Sequence, residues 1–191
     1  GNGPFPYTVF FVDEGENNDD YGIISGEIVK RGTIVVITND FDSDDTANVV
    51  QSLSLIESIV ELMNTTNSSN NLIPSSFGNI DLNHWGVSGH GVGAAVAYSV
   101  FPFWPESELS ANIQPPRSLF GLGIDFSGWA EGNGWSNIKP DSWSIDPATP
   151  ATGLFMTGTV DEIARGQDNL PVISATAVSY THLTLPTRLP V

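Results

Sequence analysis

The sequence predicts an α/β fold, with a mostly parallel central sheet and helices on both of its faces. Short apolar runs rich in β-branched residues alternate along the chain with stretches of helical periodicity, the order expected of successive βα units. One of those runs, TIVVIT from Thr33 to Thr38, is apolar almost without interruption, as a strand covered on both faces must be. The chain is also long enough for such a core. Its 191 residues, 40% of them hydrophobic, suit a single globular domain.

Tyr7 to Val12 (YTVFFV) is the first clear strand. In Tyr21 to Lys30, Ile23, Ile24 and Ile28 fall at helical spacing, and Arg31-Gly32 supplies a basic last turn and a stop. After the Thr33 to Thr38 strand, Asp45 can cap the strongest helical pattern in the chain, in which Val49, Leu53, Ile56, Val60 and Met63 share one face. That pattern dissolves in the polar run NTTNSSNN, Asn64 to Asn71. A short strand from Trp85 to Ser88 follows, then a Gly-rich turn, then an Ala-rich helix from Val92 to Val100 that is expected to end before Pro102. Ser118 to Phe126 and Thr152 to Thr157 read as the remaining strands, the second as the last. Between them Trp129, Trp135 and Trp143 lie in a Gly/Pro/Ser-rich stretch, Ser127 to Pro150, that reads as a long loop over the C-terminal edge of the sheet.

The segment WGVSGHGVGAAVA, Trp85 to Ala97, carries the most chemical information. It has the layout of a strand, a tight turn and a helix. In a G-x-S-x-G nucleophile elbow, small residues stand two places before and two places after the nucleophile because the turn leaves no room for side chains. Gly89 and Gly93 meet that condition, and the residue midway between them is Gly91. Glycine has no side chain with which to attack a substrate. A phosphate or dinucleotide loop is the competing reading of the glycines, but Gly89-x-Gly91-x-Gly93 matches G-x-G-x-x-G only in part.

This local pattern resembles the G-H-S-x-G-G elbow of the α/β-hydrolase superfamily, in particular its chlorophyllase, cutinase and polyester-hydrolase-like branch. The resemblance implies an α/β-hydrolase fold, puts Gly91 at the serine position and gives Val92 the role of one oxyanion N–H. His90 then stands just before the nucleophile position, where it is expected to pack or hydrogen-bond at the turn rather than act as a base. Ser88 is the alternative nucleophile. That choice places Gly86 at −2 but His90 at +2, where a side chain crowds the turn, and leaves the glycine cluster unexplained.

A second match lies after the last strand. LFMTGTVDEIA, Leu154 to Ala164, resembles the family's apolar strand followed by G-x-x-D-x-x-A, which implies that Asp161 is the acid that orients the catalytic histidine. Without the resemblance Asp161 reads as a helix cap or a solvated loop residue, and Asp125 is the alternative acid. The histidine should follow the acid in the chain. His182 is the only one that does; it falls in a foreign-looking tail, so the catalytic histidine reads as missing, and His84 has no assigned role. The other oxyanion donor is expected in the loop after the first strand, where the family has an H-G pair and this chain has Asp13-Glu14-Gly15. Carboxylates there would oppose a developing oxyanion unless they point to solvent.

Composition narrows the partners. Twenty-two acidic residues against six basic ones give a net charge of −16, a field that repels nucleic-acid phosphates and anionic membrane surfaces. No apolar run reaches the length of a membrane span. Zero cysteines exclude disulfides and thiolate metal sites, and the acid excess slightly favours a secreted or salt-exposed protein. Two acidic clusters, Asp13 to Asp20 and Asp40 to Asp45, invite a metal reading; the second has D-x-D-x-D spacing, but Asp45 stands where an EF-hand needs Gly and Gln51 where it needs Glu. Solvated loops are the favoured account, and no metal or cofactor is implied.

From Val178 onward, VSYTHLTLPTRLPV contains no acidic residue, whereas the chain before it averages about one in eight. It resembles translated sequencing-adapter tails. The expectation is a partial hydrolase domain over residues 1–177, cut at both ends, and a non-native tail over 178–191. Functionally, the resemblance implies a serine esterase or lipase type whose ligand is a small ester or lipid-like molecule, inactive as written because the serine and histidine are absent. The alternatives are a non-catalytic binding module that uses the retained pocket, and an active esterase that uses Ser88.

Overall fold

The computed structural model describes residues 3–13, 15–39, 54–61, 80–124, 152–158 and 179–185. Six strands form one sheet: β1 (Phe5–Phe11), β2 (Ile34–Thr38), β3 (Ile80–His90), β4 (Ser118–Leu122), β5 (Thr152–Gly158) and β6 (Ser179–Leu185). Their order is β2-β1-β3-β4-β5-β6, and each neighbouring pair is parallel. Among the described residues three α-helices accompany them: α1 (Gly22–Val29), α2 (residues 54–61) and α3 (Gly91–Phe103).

Side-chain alternation along β1 sets the layers. Tyr7, Val9 and Phe11 join a core built with Ile56, Ile59 and Val60 of α2 and the apolar residues of α3. Phe10 and the following Val12 point to the opposite face, against Tyr21 and Ile24. Thus α1 covers one face, while α2 and α3 cover the other. The arrangement follows from crossover handedness: the chain moves from β1 to β2 in one direction across the sheet, and from β2 to β3 and β3 to β4 in the other.

The centre of the molecule is the β1–β3 pair with α3 on top. Ala94 to Tyr98 are each 0% exposed, so α3 is buried on every side. Its small residues permit that closeness. At the far end of the same pair Tyr7 stacks on Trp85, with ring centroids 5.7 Å apart, and Trp104 meets Trp85 edge-on at 5.1 Å.

The predicted elements are present with shifted bounds. The strand read from Trp85 to Ser88 extends over Ile80–His90. Pro102 does not stop α3, which runs to Phe103 and passes directly into 3-10 turns at Trp104–Glu106 and Glu108–Ala111. A proline in the last turn removes one backbone hydrogen bond only, and the buried body of the helix outweighs it. The strand at Thr152 is not the last, because residues 179–185 pair with β5 in register Thr152↔Ser179 through Gly158↔Leu185. Tyr180, Thr181 and Thr184 are residue types that suit a strand edge, a signal the foreign composition of that segment outweighed in the sequence. The long Trp-rich stretch, both Asn-rich and Asp40 to Asp45 loops, and the N-terminal part of the Val49 to Met63 helix lie outside the described residues.

Candidate functional site

In an open parallel sheet, ligands bind where neighbouring strands send their connections in opposite directions, outside the strands' C-terminal ends. Here that point lies between β1 and β3. The residues delivered there are Asp13, just past β1, and His90, Gly91 and Val92 at the junction of β3 and α3. Tyr21, at the start of α1, closes the group from the other face.

The turn itself is sterically saturated. Gly91 has φ +53°, the left-handed region that favours glycine, and α3 begins at this residue. A methyl group on Gly89 would press into the backbone of Gly93 and Ala94, and one on Gly93 would press into the carbonyls of Phe11 and Val12. The two flanking glycines are therefore required by the closeness of the turn to α3 and β1. Gly91 is different. A side chain there would overlap the carboxylate of Asp13.

That carboxylate is held in place by the helix. The Val92 N–H donates to Asp13 Oδ1 at 2.9 Å, an acidic acceptor brought to the N-terminus of α3 from 79 residues away. His90, the residue at the cap position, supplies no side-chain cap of its own. The Asp13 N–H donates to the Tyr21 hydroxyl at 3.1 Å, and that hydroxyl lies 2.9 Å from His90 Nδ1. His90 Nδ1 is in turn 3.9 Å from Asp13 Oδ2. The Tyr21 hydroxyl thus links the Asp13 backbone to the His90 ring. Burial raises the Tyr21 phenol above its ordinary pKa; the hydrogen bond from the Asp13 N–H opposes the rise, and the nearby carboxylates of Asp13, Glu16 and Asp20 add to it.

The N–H groups of Val92 and Asp13, two of the residues expected to line an oxyanion hole, are both bonded within the chain. Asp13 points at the elbow rather than to solvent; its side chain is 30% exposed. Glu14 lies outside the described residues. Ser88 lies in β3, 2% exposed, with its hydroxyl 3.1 Å from Thr8 Oγ1 and donating to the Val9 carbonyl at 3.3 Å. It faces the neighbouring strand, short of the turn. His90 hydrogen-bonds at the turn. Asp161 and Asp125 lie outside the described residues; β5, which leads toward Asp161, ends on the same sheet edge as β3 because the strands are parallel. His182 occupies the middle of β6, in register with Phe155.

Tyr21 is the participant that sequence reasoning missed. It reads there as the first residue of an amphipathic segment, and nothing local marks a tyrosine whose hydroxyl will reach a histidine 69 residues on. Among the described residues no group of three His, Asp or Glu side chains converges as a metal site, and no helix is long and apolar enough to cross a membrane.

No family model matches the sequence, and no curated protein matches it. Solved structures do match its backbone. A lipase/esterase from Lactobacillus plantarum superposes with a TM-score of 0.68 at 12% identity, covering 94% of this chain and 77% of that one. A Paleococcus ferrophilus monoacylglycerol lipase gives 0.62 at 12% identity over 95% of this chain and 84% of its own, and an esterase from Rhizomucor miehei gives 0.65 at 12% identity over 96% and 66%. Identities this low speak for the backbone alone. Together with the parallel sheet and its switch point between β1 and β3, they establish that the chain has the α/β-hydrolase fold.

Proposed function

We propose that this chain is a hydrolase-fold protein of the serine esterase and lipase type that has given up acyl transfer through a serine ester and retains the elbow as a scaffold for binding a small ester or lipid-like molecule. The observation that carries this reading is Asp13 on Gly91: the elbow lacks a nucleophile, and a carboxylate fills the space that a nucleophilic side chain would need. An acyl-enzyme requires an Oγ at the turn and free donors for the oxyanion. Here the Val92 N–H is bonded to Asp13. Ser88 is a poor substitute, since its hydroxyl is buried against β1. The chlorophyllase and cutinase-like branch rests on the G-H-G-x-G and Asp161 motifs of the sequence.

The test is direct. The purified chain is incubated with short-chain p-nitrophenyl esters and, separately, with a fluorophosphonate probe. The expected result is hydrolysis at the buffer rate and no labelled serine. Stoichiometric labelling at Ser88, or turnover abolished by Ser88→Ala, would overturn the reading in favour of an active esterase.

A further inference from the structure

We propose that the outer edge of β2 is an interface between two copies of this chain, which pair their β2 strands antiparallel about a two-fold axis and so continue the sheet from one copy into the other. The strand has the makeup of an interior strand in an edge position. Ile34 and Val36 pack against the core shared with α2 and α3, and Val35 and Ile37 against the core on the α1 side, so both faces of β2 are apolar. Among the described residues β2 nevertheless has a neighbour on one side only, and these four residues stay half-buried. It also lacks the charges, prolines and bulges that keep an edge from pairing. The opposite edge contrasts with it, since β6 carries Ser179, Thr181, His182 and Thr184.

The surface beside this edge is complementary to itself. Helix α1 packs along β2 through Ile24, which joins Val35 and Ile37, and runs from the C-terminal end of the sheet back to the start of β2. Exposed Glu16, Asp19 and Asp20 precede it at one end, and exposed Lys30 and Arg31 follow it at the other. Ile23 and Val29, near its two ends, are the large hydrophobic residues left exposed among the described ones, at 87% and 54%. A two-fold axis perpendicular to the sheet reverses the strand direction and keeps both copies of α1 on one face. It brings the acidic end of each copy toward the basic end of the other, and the Ile23 end of each α1 toward the Val29 end of its counterpart. Lys30-Arg31 is the only adjacent pair of basic residues in a chain of net charge −16, and at this place it offsets the repulsion between copies. The backbone groups on the outer side of β2 add hydrogen bonds from strand to strand.

The experiment is a charge swap read by sedimentation velocity. The full chain, taken from low micromolar to submillimolar concentration, should show a reversible equilibrium between monomer and dimer, and hydrogen exchange of the β2 amides should slow as the concentration rises while that of the β4 amides does not. Ile23→Lys, a change on an exposed side chain, should weaken the dimer by about tenfold or more. The pair Lys30→Glu with Arg31→Glu, and the pair Glu16→Lys with Asp19→Lys, should each weaken it as much. An equimolar mixture of the two double variants should recover the wild-type affinity, because the swapped ends are complementary again. Misfolding of either variant could not imitate that recovery. A monomer at every concentration, open-ended polymers in place of a closed dimer, a dimer that neither charge change weakens, or a mixture that dimerises no better than its parts would overturn the proposal.

Discussion

A serine placed at the β3–α3 turn by Gly91→Ser should destabilise the protein and yield no esterase. At φ +53° a residue other than glycine carries a backbone penalty of about 1–2 kcal/mol. Its Cβ also evicts the Asp13 carboxylate, which forfeits a charge-assisted hydrogen bond to Val92. For a bond to a charged group that loss is about 1.5–3 kcal/mol, taken toward the lower end because Asp13 is partly exposed. The net expectation is about 2–4 kcal/mol, or a fall in Tm of roughly 4–16 °C for a domain of this size. Urea unfolding of four proteins, wild type, Gly91→Ser, Asp13→Gly and the double variant, separates the parts. With Asp13 removed, Gly91→Ser should cost only the backbone penalty, so the coupling between the two sites should be about 1.5 kcal/mol or more. Additive effects, or a Gly91→Ser protein as stable as wild type, would refute the placement of Asp13 on Gly91. Rapid turnover of p-nitrophenyl esters by Gly91→Ser would show that His90 or His182 serves as a base after all.

Further outcomes follow from the same geometry. Gly93→Ala should cost more than Gly91→Ala, about 3 kcal/mol or above, because its methyl meets the fixed carbonyls of Phe11 and Val12 rather than a side chain; the urea midpoints of the two variants check the order. Ser88→Ala should cost about 1–3 kcal/mol, the worth of its two neutral hydrogen bonds to Thr8 and the Val9 carbonyl, with no change in ester hydrolysis. Tyr7→Phe should be neutral or stabilise by up to about 1 kcal/mol, since the buried Tyr7 hydroxyl has no hydrogen-bond partner among the described residues. Burial also holds the Tyr7 phenol well above its ordinary pKa of 10.0, so the folded state keeps a proton that the unfolded chain gives up. That contribution is intact below pH 10 and declines as the pH rises beyond it; Tm measured from pH 8 to 12 should fall less steeply for Tyr7→Phe than for wild type.

The sequence by itself determined the layers of this protein and the shape of its turn. TIVVIT is legible as a strand because its residues are apolar and β-branched, although as β2 it lies at the edge of the described sheet and all but Thr38 are only half-buried, and Gly89 and Gly93 are legible as a tight turn because close approach of backbones excludes every larger residue. Such constraints act over a few neighbouring residues, so they are written locally. The ends of elements were less legible: Pro102 marks a stop on local rules, yet the burial of Ala94 to Tyr98 carries α3 past it. What only the tertiary structure decided is the content of the site. Asp13 appears in the sequence as one carboxylate in an acidic loop, and Tyr21 as one more apolar position. The pairing of Phe11 with Gly89 puts the end of β1 beside the end of β3, and that register brings Asp13 onto Gly91. Sheet register depends on contacts between segments nearly eighty residues apart, and no local pattern records it.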